Sequence, residues 1–173
     1  LPVKAREGAV YYISPRARTA TVQTSADWSN AKFIIDDVNC ECRTAPVFHV
    51  SSALQPLPLR VSSMVWGQSH LDNPFGCDLH VVVKNENHMD YIRKGLNQDN
   101  GHPRTDVFVL RADGVLSSPL SFDFDEITGV HAYPIDRQTL TLTGGEFTTI
   151  ANQAESKYNY HSRNIHITRS NVE

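Results

Sequence analysis

The sequence predicts an all-β protein, and three observations carry that expectation. Valine (16), isoleucine (9) and threonine (12) outnumber alanine (12) and leucine (12), a weighting toward residues that suit a pleated, half-buried surface. Apolar residues recur every second position in short runs, as in Leu140 and Leu142 between threonines or Ile165 and Ile167 around His166. Helical spacing occurs in one place, over residues 88–96, where Met89, Ile92 and Leu96 stand three and four apart. A strand through Tyr91, Ile92 and Arg93 suits that segment better, because it sits among strands.

The expected strands follow one another closely, each bounded by Gly, Pro, Asn, Asp or Ser. Residues 10–13 (VYYI) and 20–24 (ATVQT) come first. Residues 32–36 (KFIID) follow, closed by Asp36 and Asp37, and 46–50 (PVFHV) begin on a proline, which a strand tolerates at its first position. The middle of the chain supplies 59–65, 79–84, 106–110, 120–124 and 127–133, the second of these with three consecutive valines. The last three are 138–143, 146–150 and 163–168. Residues 97–104 (NQDNGHPR) read as a long polar loop.

Two of these segments align without gaps at an offset of 25 residues. Leu140, Leu142 and Phe147 fall opposite Ile165, Ile167 and Val172, and the polar break Gly145-Glu146 falls opposite Ser170-Asn171. Stacked coils of a solenoid produce this pattern, since each turn places the same inward side chains one rung above the last. A β-sandwich or jelly roll also yields strands every 8–12 residues and stands as the architectural alternative.

Two stretches carry a resemblance to a known family. The run Arg6-Glu7-Gly8-Ala9-Val10-Tyr11-Tyr12-Ile13-Ser14-Pro15 is similar to the G-G-x-V-Y-x-P-P-G strand that leads into the first coil of many β-helix proteins, with Glu and Ala in place of glycine and no later turn glycine. The runs LTLTGGEF (140–147) and SRNIHITRSNV (162–172) are similar to coil phrases that recur in the same solenoids. On these residues the chain resembles the right-handed parallel β-helix proteins of the pectin-lyase-like superfamily. The resemblance implies a single β-helical domain over 1–173 that is the N-terminal part of a larger solenoid, lacking terminal coils and partnered by the remainder of its own polypeptide. It implies a secreted protein, extracellular or periplasmic, that acts as a lyase or glycoside hydrolase on an acidic polysaccharide. A non-catalytic glycan- or surface-binding β-helix of the adhesin or tail-fibre type is the alternative, and fold analogy alone does not establish chemistry.

Charge narrows the partners independently. With 16 basic and 19 acidic side chains, the chain has a formal charge of −3, and its Lys and Arg stand singly among acids. That balance argues against a nucleic-acid partner. No apolar run approaches the ~20 residues of a helical membrane span.

Each candidate site residue has a simpler structural role beside the functional one. Asp123 and Asp125 alternate with Phe122 and Phe124, which would put both carboxylates on one face and both rings in the core. Such a pair could join a Ca²⁺ site, although a charged solvent face explains it more simply. Asp36-Asp37 could be half of an acid/base pair, or a strand-ending turn in which Asp bonds its own backbone. Among Arg60, Arg93, Arg104, Arg111, Arg163 and Arg169, the pair Arg163 and Arg169 is expected to line a lateral groove and grip carboxylates of an acidic sugar, with ordinary surface charge as the alternative. Trp28, Trp66, Tyr158 and Tyr160 could be sugar-stacking platforms or packing residues. Of the eight histidines, the nearest pair, His161 and His166, would lie on opposite strand faces, which disfavours zinc, and His166 is expected to point outward. Cys40, Cys42 and Cys77 read as packing thiols or one optional bridge. No catalytic residue is assigned, because no nucleophile elbow, phosphate loop or Cys/His nucleophile signature is present.

Overall fold

The structure is a computed structural model that describes residues 2–90, 101–150 and 161–173. The chain forms two compact units, one built from Leu1–Ala53 with Asp136–Glu173 and the other from Leu54–Ile135. In chain order the strands are β1 (Val3–Lys4), β2 (Val10–Ile13), β3 (Ala20–Val22), β4 (Ala26–Asp27), β5 (Lys32–Asp36), β6 (Phe48–Val50), β7 (Leu79–Asp90), β8 (His102–Leu110), β9 (Gly129–Pro134), β10 (Leu142–Thr143), β11 (Glu146–Ile150) and β12 (Ile165–Ile167).

The first unit is a parallel β-solenoid of three turns. Each turn contributes one strand to each of three sheets, β1-β4-β10, β2-β5-β11 and β3-β6-β12, and every pairing in them is parallel. Parallel register places like side chains on successive rungs. Tyr11, Phe33 and Phe147 form one such ladder, with ring centroids 5.1 Å and 4.9 Å apart, close to the ~4.8 Å between neighbouring strands. Trp28 and Phe48 close around Phe33 edge-on or tilted, and Ala26 and Ala31 leave room for these rings. Ile35 and Val50 are buried on the same inward faces. Between β10 and β11 the chain must pass tightly over the turn below: Gly144 has φ +73°, and a Cβ there would stand 2.2 Å from the Ser29 carbonyl oxygen.

The 25-residue alignment does not describe the rungs. Leu142 pairs with Ala26, Phe147 with Phe33 and Ile165 with Phe48, while Val172 pairs with Leu140. The two similar phrases lie mostly on different faces of one turn. An apolar-alternating strand ending in a polar corner recurs within a coil as well as between coils, so local similarity alone does not set the rung.

The second unit is antiparallel and interrupts the solenoid between its second and third turns. Strand β7 lies between β8 and β9. Leu79, Val81 and Val83 project from one face of β7 into a core with Phe108, Leu110, Leu116, Phe124 and Ala132. The runs 59–65 and 120–124, expected as strands, meet through the single bridge Met64 to Phe124. The sequence reading of one continuous solenoid thus differs from the structure at residues 54–135, whose alternation fits antiparallel and parallel strands equally well. Residues 88–90 belong to β7 and 102–104 to β8, replacing the end of the expected loop; Tyr91–Arg93 and 97–100 lie outside the described residues.

Candidate functional site

The feature of the second unit most suited to a ligand is an apolar ledge at Val65 and Trp66. Segment 64–67 runs antiparallel to 120–124, with Met64 and Phe124 exchanging backbone hydrogen bonds at 2.9 and 2.7 Å and burying their side chains. The chain then turns sharply. Gln68 N–H donates to the Val65 carbonyl at 3.0 Å, and Gly67 occupies φ +74°, which the third position of such a turn demands. The tip is pinned: Val65 N–H donates to Gln68 Oε1 (3.1 Å), Trp66 N–H to Asp123 Oδ1 (2.7 Å) and Gly67 N–H to the Leu120 carbonyl (3.0 Å). A turn with its donors satisfied holds Trp66 out, 72% exposed, beside Val65 at 61%.

Phe122 belongs to the same pair of segments and is 38% exposed, with the Arg104 guanidinium 5.2 Å from its ring centroid. Arg104 is held in turn. It donates to His88 Nε2 (2.6 Å), Asp90 Oδ1 (3.2 Å) and the Asp123 carbonyl (3.3 Å). Phe122 therefore does not enter the core as its alternation with Phe124 predicts. Only Phe124 is locked by a bridge, and without a continuous ladder the next ring is free to pack under Arg104.

Asp123 and Asp125 each accept a backbone N–H, Asp123 Oδ1 that of Trp66 and Asp125 Oδ1 that of Glu126 at 3.1 Å. Calcium needs six to eight oxygen ligands, and no group of three or more His, Cys, Asp or Glu is arranged to hold a metal among the described residues.

Arg163 and Arg169 do not line an outer groove either. Arg163 is 1% exposed and stitches three turns together, donating to Asp37 Oδ1 (3.0 Å), the Asp36 carbonyl (2.9 Å), the Ser14 carbonyl (3.2 Å) and the Arg16 carbonyl (3.0 Å). The corners after β2 and β5 direct these carbonyls inward, where a guanidinium satisfies several at once. Arg169 is nearly as buried, paired with Asp136 at 3.3 Å and donating to the Gln138 carbonyl at 2.7 Å. Sequence reasoning had no signal for this, since an arginine beside an alternating strand reads as surface.

Other corners carry carboxylates whose acidity is enhanced. The Ser29 N–H and hydroxyl, aided by Lys4, hold Asp27 below the ordinary carboxylate range. The Tyr12 hydroxyl and the Val38 N–H do the same for Asp36, and the Tyr12 phenol is correspondingly raised. Glu41 is lowered by the Ala17 N–H and by Arg16. Asp36 thus forms the expected strand-ending turn with its own backbone.

Trp28 is a core residue, and Trp66 is the exposed tryptophan; Tyr158, Tyr160 and Arg93 lie outside the described residues. His166 stacks on His49 of the turn below at 5.3 Å. No helix among the described residues is long and apolar enough to cross a membrane. No protein-family model matches the chain, and no curated protein is similar to it.

Proposed function

We propose that the chain is a polysaccharide-binding portion of a β-helix protein of the pectin-lyase-like kind, working outside the cytoplasm, with the Trp66 ledge as the place where a sugar ring stacks. The observation that supports this reading most is the rigid turn that presents Trp66. An indole carries 150–250 Å² of largely apolar surface, and keeping it in water on a pinned turn forgoes the burial that Trp28 obtains. An exposed aromatic ring carried on a pinned turn suits the apolar face of a pyranose. It loses little conformational entropy on binding. The acidic substrate inferred from the resemblance gains no support from Arg163 and Arg169, whose donors face inward.

The test is a calorimetric titration of the intact chain with neutral and uronate oligosaccharides. Saturable binding is expected, weakened about tenfold in Trp66→Ala, the loss of a contact worth about 1.4 kcal/mol. No response to any sugar, or equal binding by the variant, would refute the reading. The same samples assayed for unsaturated uronates and new reducing ends decide between simple binding and a part in a lyase or glycoside hydrolase.

A further inference from the structure

The corner that follows β5 holds chemistry that sugar binding does not use. Cys40 and Cys42 flank Glu41, whose backbone N–H donates to the Pro15 carbonyl at 2.9 Å while its carboxylate takes the Ala17 N–H at 2.9 Å and Arg16 at 2.5 Å. The residue between the thiols is therefore anchored. Cys40 Sγ lies 3.7 Å from His161 Nδ1, which is itself 3.7 Å from Asp37 Oδ2. Asp37 is buried against Arg163, and Nδ1 is the His161 ring nitrogen that faces the thiol. Cys42 Sγ lies 3.4 Å from Thr44 Oγ1.

We propose that the Cys40-Glu41-Cys42 corner is a thiol redox site in which Cys42 reacts with a hydroperoxide and Cys40, relieved of its proton by His161, closes a Cys40–Cys42 disulfide. The Cys42 thiolate attacks the terminal peroxide oxygen, an S–O bond forms as the O–O bond breaks, and the departing alkoxide or hydroxide takes up the proton that the Cys42 thiol released. Sulfur is oxidised by two electrons to the sulfenic acid, and the peroxide is reduced to an alcohol or water. Cys40 passes its proton to His161 Nδ1, and its sulfur attacks that of Cys42. The S–S bond forms, the S–O bond breaks, and the departing hydroxide leaves as water with the proton from His161.

The roles of the two thiols follow from their neighbours. The Thr44 hydroxyl and the N–H groups of Thr44 and Ala45, with Arg163 nearby, hold the Cys42 thiol below its usual range, which favours the attacking thiolate. The Asp37 carboxylate lies 3.7 Å from the His161 Nδ1 that takes the Cys40 proton, so His161 is the base of the step and Asp37 a positioning residue. Residues two apart cannot separate their Cα atoms by more than about 7 Å, close to the upper end of the span a disulfide bridges. Cys77 supplies an internal control: it also is partly buried, but it packs against the apolar core of the second unit.

The experiment is competitive alkylation of the native intact chain with iodoacetamide, followed by stoichiometric hydrogen peroxide and peptide mass mapping with and without dimedone. Cys42 is expected to alkylate at least tenfold faster than Cys77, and peroxide should yield a peptide joining Cys40 to Cys42. Cys40→Ser should stall at a dimedone-trapped Cys42, and His161→Gln should lengthen the life of that adduct-forming species while leaving Cys42 alkylation unchanged. Equal alkylation of Cys42 and Cys77, or no Cys40–Cys42 linkage in the unmodified chain, would overturn the proposal; neither measurement requires a variant to fold.

Discussion

The solenoid and the antiparallel unit solve the problem of buried backbone in different ways. In the second unit β7 is hydrogen-bonded on both sides and packs an apolar cluster, with Asn85 the buried polar residue on its strand. In the solenoid the ladders run between turns, so the corners after β2 and β5 turn carbonyls away from the ladders, and two of the three buried polar residues among those described, Asp37 and Arg163, lie at such corners. A coil closes its core with a charge because its corners are part of the core. In the antiparallel unit the irregular segment 64–67 buries Met64 and displays Trp66.

Removing that charge is the strongest way to break the contrast. Arg163→Met leaves Asp37 buried beside His161 and strips four acceptors of their donor. A loss of about 3–5 kcal/mol is expected, read as faster amide exchange in β2, β5 and β12 with the β7 amides as internal reference. Unchanged exchange in those strands would mean the arginine does not hold the turns together.

Gly144→Ala tests steric closure without touching charge. The added Cβ would meet Ser29 backbone at 2.2 Å in a left-handed conformation, so about 2–3 kcal/mol should be lost. Gly67→Ala in the ledge turn has a positive φ but nothing within 4 Å, and should cost about 1 kcal/mol. Urea midpoints of the two variants measure the difference, and equal midpoints would refute the tight passage over Ser29.

The smallest effect concerns pH. Asp27, Asp36 and Glu41 are more acidic in the folded chain, so their stabilisation is present above the unfolded carboxylate range and is lost as pH falls through their lowered folded values. Tyr12 is raised, so its contribution is present below the unfolded phenol range and is lost as pH rises through the higher folded value. Thermal melts should be flat between those limits and decline on both sides. Asp36→Asn should soften both declines, since it removes one acid and the partner of Tyr12.

Much of the fold was legible along the chain. The boundaries of β2, β5 and β11 coincide with those expected, because each pairs aromatic or β-branched alternation with a turn residue at its ends. Strands β1 and β4 escaped notice, since two residues carry no periodicity and their pairing is decided by neighbouring turns. At the candidate site, Trp66 and Phe122 stood out as residues, but nothing local told Trp66 from Trp28.

Local alternation alone determined that this protein is all β and that its strands are short, because a period of two and the punctuation of Gly, Pro, Asn and Asp act within a few residues. Tertiary structure decided which strands share a rung, that an antiparallel unit interrupts the coils, and that Arg163 is a core staple while Trp66 stands in water. Those outcomes depend on partners more than a hundred residues apart for Arg163 and fifty-seven apart for Trp66, and a strand's alternation says which face is apolar without saying what will cover it.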